Sequence, residues 1–193
     1  MKRPTLILAS RSPRRMEMLA EAGIKFRAVP SGADENSSYR RPALIVRELA
    51  CRKALSVALE HPESPVLGSD TLVYCKGEVI GKPKGHRDAL RLLRLLNGSW
   101  QAVHTGVALV WVDKGIYLSG SDVSRCKARR LDEKELRRMA GKHHDKAGAY
   151  AVQDKDDLFI EKIEGRYDTI VGLSMNLVRK FMKKAGMEKR CTA

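Results

Sequence analysis

The sequence predicts an α/β fold, a mixed β-sheet flanked by helices with a cleft. Three observations predict it. Strand-like and helix-like stretches are mixed throughout the chain, with neither confined to one half. Thr5–Gly23, TLILASRSPRRMEMLAEAG, passes from an unalternating apolar run straight into an amphipathic helix, as a doubly buried strand feeding a helix does. Val66–Tyr74, VLGSDTLVY, is a second apolar run of strand length, with the carboxylate of Asp70 inside it.

In chain order, Thr5–Ala9 is the first strand, and Ser12 and Pro13 suit the N-cap and first position of a helix that Gly23 stops. Met16, Leu19 and Ala20 form its inner stripe. Ser10, Arg11, Ser12, Arg14 and Arg15 therefore gather at a helix N-terminus, where N–H groups, the dipole and up to three guanidinium groups converge as an anion site. The helix end contributes only ~0.3–2 kcal/mol, so the arginines must carry most of the attraction, and a polyphosphate suits them best. As solvated first-turn residues these cations would oppose the dipole, which points to function. The stretch lacks the Gly-Lys-Ser/Thr of a Walker A loop and the glycines of a dinucleotide fingerprint.

A second strand is expected over Lys25–Val29, then a polar loop with Asp34 and Glu35, then a helix from Pro42 to about Glu60. Its apolar stripe Ile45, Leu49, Lys53, Val57 includes a lysine, which either snorkels from the stripe's edge or reaches into a site. Asp70, within its apolar strand, requires a partner or a metal, because an unpaired buried carboxylate is expensive. A hairpin turns at Lys76-Gly77 into Glu78–Ile80, followed by Gly81-Lys82-Pro83 and a helix over Arg87–Leu96. Gln101–Val112 and Gly115–Asp122 read as paired strands, and Ser124–Arg130 as another. Asp132 and Glu135 form a capping box. His143 and His144 diverge as neighbours and suit a polar loop better than a metal pair. Lys146–Asp154 looks like the start of a strand, whose Gln153 either reads a base edge or ends the strand. Phe159–Ile163 and Thr169–Val171 read as short strands, and Ser174 caps the last helix, with Val178, Phe181, Met182 and Ala185 inward.

At 193 residues the chain amounts to one domain or two closely joined lobes. No apolar run approaches the ~18–20 residues that span a bilayer, so no membrane partner is expected. Cys51, Cys75, Cys126 and Cys191 show no C-x-x-C or metal spacing, which suits reduced thiols in a cytoplasm. Only Thr5–Ala9 separate the basic start Met1–Pro4 from Ser10 and Arg11, which is too short for a secretory apolar region. A net charge of +14 calls for an anionic partner, but aromatics are only 5% and do not alternate with basic residues, so a small anion is favoured over nucleic acid.

In order, SRSPRR at Ser10–Arg15, Asp34-Glu35, Lys53, SDT at Ser69–Thr71, GKP at Gly81–Pro83, TGV at Thr105–Val107, KAGAY at Lys146–Tyr150 and a glycine-led VGL ending at Leu173 resemble the Maf family of nucleoside triphosphate pyrophosphatases. The resemblance implies one Maf-like domain over residues 1–193, elongated into two lobes around a cleft and similar to inosine triphosphate pyrophosphatases. It implies hydrolysis of dTTP and UTP to monophosphate and pyrophosphate, clearing unwanted nucleotides, with a link to cell-division arrest. A divalent cation (Mg²⁺, Mn²⁺ or Co²⁺) is the implied cofactor, held by Glu35 and Asp70, and a homodimer is expected. Ser10, Arg14, Arg15, Lys53 and Lys82 match phosphate-binding positions, Asp70 and Glu35 the catalytic carboxylates, and Arg14, Thr71 and Gln153 positions tied to base choice. The chain departs from the family pattern at Ser69, His144, Asp154, Arg166, Asp168, Thr169 and Ser174.

Hydrolysing a phosphoanhydride needs a poised water, a base and positive charge over the bridging oxygens. Asp70 can supply the base, and Asp70 with Glu35 suffices for a cation that substrate oxygens complete. The division of labour between the two carboxylates stays open on sequence. A regulator of cell division that binds nucleic acid, or senses a nucleotide without turnover, is the competing reading.

Overall fold

The computed structural model describes residues 5–141, 148 and 159–187. The described strands form a mixed sheet in the order β2 (Phe26–Ala28), β1 (Leu6–Leu8), β3 (Val66–Cys75), β5 (Trp100–Trp111), β6 (Ile116–Ala128), β7 (Ile160–Glu164), with β4 (Glu78–Ile80) on β3. The chain divides into two compact units, one of Met1–Asp70, Thr105–Asp122 and Gly172–Ala193, the other of Thr71–His104 and Val123–Val171.

In the first unit, β1 (Leu6–Leu8) pairs in parallel with β2 (Phe26–Ala28) and with the start of β3 (Val66–Cys75), in the register Leu8↔Leu67. Both faces are apolar because both are covered. Leu6, Leu8, Leu67, Val107 and Leu109 pack with Leu19 of α1 (Pro13–Glu21) and with Val178 and Phe181 of α6 (Met175–Lys184). Ile7, Ala9, Val66, Ala108 and Val110 pack on the opposite side against Ala50, Ala54, Val57 and Ala58 of α2 (Pro42–Ala58). Of the stripe expected on α1, Met16 and Leu19 pack against the core, whereas Ala20 is exposed and Met18 packs there as well.

Two strand glycines set the distance of α2. A Cβ on Gly68 would lie 2.2 Å from the Ala50 carbonyl oxygen, and one on Gly106 would lie 2.0 Å from that of Val46. The helix backbone thus rests directly on the sheet. Ser174 caps α6 through the Leu177 N–H at 3.2 Å, and its hydroxyl also bonds Asp122.

In the second unit, β4 (Glu78–Ile80) forms the expected hairpin on β3, and β7 (Ile160–Glu164) runs antiparallel to β6. Their core includes Val73, Leu93, Leu96, Val103, Leu136 and Phe159. It is covered by α3 (His86–Leu96) and α4 (Glu133–Met139), whose Asp132–Glu135 capping box forms as expected. The other long strand is β5 (Trp100–Trp111).

Two element readings are corrected. The strands expected over Gly115–Asp122 and Ser124–Arg130 are one strand, β6 (Ile116–Ala128), because its polar middle is only half-buried and tolerates serine and aspartate. Thr169–Val171 belongs to a short helix, α5 (Tyr167–Val171), rather than a strand. There the Asp168 carboxylate accepts the Thr169 N–H at 2.8 Å, and burial of all three β-branched residues overrides their strand preference. The readings made for His143, His144, Gln153, Asp154 and most of Lys146–Tyr150 lie outside the described residues.

Candidate functional site

The first unit brings Ser10, Arg14, Arg15, Glu35, Lys53 and Asp70 into one region. Because β1 and β3 are parallel and in the register Leu8↔Leu67, the chain leaves β1 at Ser10 alongside Ser69 and Asp70. Helix α1 begins within three residues, with Pro13 in its first turn. Ser12 takes the N-cap position, but its side chain caps no N–H. Its own N–H donates to the Ser10 hydroxyl at 3.2 Å. The first-turn amides have no intrahelical acceptor, so the helix end is cationic and uncapped by Ser12.

The two helix arginines differ. Arg15 turns back into the protein, donating from Nε to the Gly172 carbonyl (2.8 Å) and from Nη1 to the Ser69 carbonyl (2.8 Å) and the Ser10 hydroxyl (3.2 Å). Burial pushes its guanidinium below the ordinary value, opposed by the nearby Asp70 carboxylate. Arg14 and Glu35 are also close enough to act on it. No hydrogen bond or ion pair engages Arg14 among the described residues. The Ser69 hydroxyl shares its one hydrogen between the carbonyls of Gly106 (2.9 Å) and Gly172 (3.1 Å), tying down the residue before Asp70.

Lys53 resolves the ambiguity of its stripe. Close seating of α2 on Gly68 and Gly106 puts it beside β3, where its side chain is only 12% exposed. Its Nζ lies 2.7 Å from Asp70 Oδ1 and 2.7 Å from Glu35 Oε1. The expensive carboxylate in the apolar strand has found a cation, and one ammonium holds two carboxylates together. Asp70 is 14% exposed and Glu35 66%, so one is fixed in the sheet and the other presented from a loop.

Among the described residues no group of three or more His, Cys, Asp or Glu is placed to hold a metal. The Glu35 and Asp70 oxygens converge on the Lys53 ammonium, and carboxylates are the ligand type of which a hard divalent ion takes one or two, completing its shell with phosphate and water. Thr71 and Lys82 belong to the second unit. Lys82 is exposed in the Gly81–Pro83 stretch after β4, where the Gly81 carbonyl accepts the Gly148 N–H at 3.1 Å. Gln153 lies outside the described residues.

The sequence reading missed Gly68, Gly106 and Arg52. Isolated glycines within apolar strands signal close backbone approach, so the first two were legible. Arg52 gave no local signal. Its Nη1 donates to the carbonyls of Asp34 (3.0 Å) and Asn36 (2.7 Å), on either side of Glu35.

Fold and site together define an α/β protein in which a cationic helix end stands beside a lysine-bridged carboxylate pair. The sequence pattern of the Maf-like protein family matches residues 5–185, and the chain belongs to that family. A dTTP/UTP pyrophosphatase of Elusimicrobium minutum (strain Pei191) is 52% identical over 181 residues, covering 94% of this chain and 98% of that protein. One from Dictyoglomus turgidum is 39% identical over 188 residues, covering 95% and 97%. Among solved structures, that of the Staphylococcus aureus Ham1 protein superposes with a TM-score of 0.56 at 13% identity, covering 94% of this chain and 99% of that one. This last likeness extends to the fold.

Proposed function

We propose that the protein is a nucleoside triphosphate pyrophosphatase that hydrolyses dTTP and UTP to the nucleoside monophosphate and pyrophosphate. The observation that carries this is the Glu35–Lys53–Asp70 bridge beside the cationic start of α1. Names shared by relatives up to 52% identical over nearly the whole chain support the substrate class.

In the mechanism, the uncapped helix end, Ser10 and Arg14 receive the phosphate chain, and Lys82 matches a phosphate-binding position of the family motif. Arg15 holds the helix start and the Ser69 peptide in place. Water oxygen bonds to phosphorus as the α–β bridging P–O bond breaks and pyrophosphate leaves. Asp70, fixed in β3 and poised by Lys53, takes the proton from the water. Glu35 and Asp70 would hold a divalent cation, which supplies charge neutralisation over the phosphates. Lys53 orients both carboxylates.

Gln153 offers a donor and an acceptor to the O4 and N3–H edge that thymine and uracil share. Arg14 and Thr71 complete the base-choosing set by the same family match. A site that hydrogen-bonds its substrate rejects a mismatched base strongly, because its own polar groups are left unpaired. The role is house-cleaning of the cytoplasmic nucleotide pool, by a homodimer that light scattering would reveal.

The test is kcat/KM for dTTP, UTP, CTP, GTP and 7-methyl-GTP with Mg²⁺, on wild type and Gln153→Ala. Wild type should favour dTTP and UTP, and the variant should flatten the ratios more than it slows the best substrate. Preference for 7-methyl-GTP, or unchanged ratios in the variant, would overturn the assignment.

A further inference from the structure

We propose that Arg52 is the positioning residue that presents Glu35 to Lys53. The proposal rests on the reading of Glu35 as a working carboxylate. Glu35 lies on a loop rather than a strand, and its side chain is 66% exposed, so something other than burial must hold it. The adjacent helix positions 52 and 53 divide that task. Lys53 takes the carboxylate itself, at 2.7 Å from Oε1. Arg52 takes the backbone on both sides, its Nη1 donating to the Asp34 carbonyl at 3.0 Å and the Asn36 carbonyl at 2.7 Å. One nitrogen carries two hydrogens, which matches two acceptors.

Four further hydrogen bonds stiffen the clamp. Arg52 Nη2 donates to Glu48 Oε1 at 2.5 Å, one turn earlier on α2, which fixes the guanidinium plane. The Ser37 hydroxyl donates to the other Glu48 oxygen, anchoring the loop on the far side of Glu35. Asp34 Oδ1 accepts the Asn36 N–H at 3.1 Å and the Asn36 side-chain amide at 2.8 Å, so the loop closes on itself around Glu35. A lysine at position 52 would keep the charge but lose the planar fork that reaches Glu48 and both carbonyls at once.

Two measurements test the clamp, on wild type, Arg52→Ala, Arg52→Lys, Glu35→Gln and the Arg52→Ala/Glu35→Gln double variant. The first is amide hydrogen exchange of folded protein in the peptide covering residues 33–37. Arg52→Ala should speed it about tenfold with α2 unchanged, as loss of a local restraint does; unchanged exchange would overturn the proposal. The second is dTTP turnover. Arg52→Ala should lower kcat about tenfold with KM within about twofold, and Arg52→Lys should restore less than half of the loss. In the Glu35→Gln background the same change should cost less than about twofold, because a residue acting through Glu35 has nothing left to position. A full further tenfold loss in that background, or wild-type turnover by Glu35→Gln alone, would overturn it. A wild type that cleaves no triphosphate would instead count against the pyrophosphatase reading, and the exchange measurement would still decide whether Arg52 holds the loop.

Discussion

Asp70 shows at the residue scale how a costly placement is made tolerable. Its carboxylate, 14% exposed, sits between Ser69 and Thr71 in a strand that is otherwise mostly apolar, and the Lys53 ammonium meets it at 2.7 Å. The same ammonium holds Glu35, so removing either carboxylate leaves the lysine with one partner. Asp70→Asn keeps an oxygen for Lys53 to bond while removing the proton acceptor. The variant should fold and bind nucleotide as wild type does, with kcat lower by roughly 10²–10⁴-fold, the usual share of a general base. Near-native turnover would make Asp70 structural. The need for a partner at Asp70 was legible in the sequence, because a charge inside an apolar run demands one. That Lys53 supplies it was not legible, since a lysine on an apolar stripe can equally snorkel outward.

Elements decide that question. Helix α2 comes close enough for Lys53 to reach β3 because Gly68 and Gly106 have no side chains to hold it off. Gly106→Ala would drive a methyl to 2.0 Å from the Val46 carbonyl oxygen, and backbone must move to admit it. We expect a loss of about 1–3 kcal/mol or more in urea unfolding, with turnover reduced as Lys53 is displaced; a melt matching wild type would mean the helix has room to spare. Helix α1 makes a different prediction from its two arginines. Arg14→Ala should raise KM for dTTP and weaken pyrophosphate binding by about 1.5–3 kcal/mol, the value of lost charge-assisted bonds. Arg15→Lys keeps the charge but cannot reproduce the bonds to Gly172, Ser69 and Ser10, so kcat should fall while pyrophosphate affinity stays within about twofold. If Arg15→Lys weakens pyrophosphate as much as Arg14→Ala does, Arg15 meets the phosphates. Most element positions followed from apolar periodicity and capping residues. The failures came where tertiary burial outweighed local preference, as in α5, or where one face of a strand is half-exposed and polar, as in β6.

For the whole molecule, the net charge of +14 and scarce aromatics fit a partner that is a small polyanion, and family membership over residues 5–185 agrees with that choice. Stability should carry a pH signature from His104 on β5. Burial lowers its pKa in the folded protein, so the unfolded chain takes up the proton first as pH falls. Its contribution is complete above the unfolded value of about 6.5 and is lost as pH drops through the folded one. The urea midpoint should therefore decline between pH 7.5 and 5.5, and decline less in His104→Gln; parallel curves would exclude this histidine as the source. The gathering of Ser10, Arg14 and Arg15 at the start of α1 was legible because these residues are close in sequence, whereas the loop clamp on Glu35 depends on residues that only folding brings together. The central claim is tested most directly by the products formed from dTTP and Mg²⁺, resolved by phosphorus NMR for wild type and Asp70→Asn. Equimolar dTMP and pyrophosphate from wild type, with at least a hundredfold slower release by the variant, is the expected result on a general-base role. Formation of dTDP and inorganic phosphate, or no turnover by wild type, would contradict it.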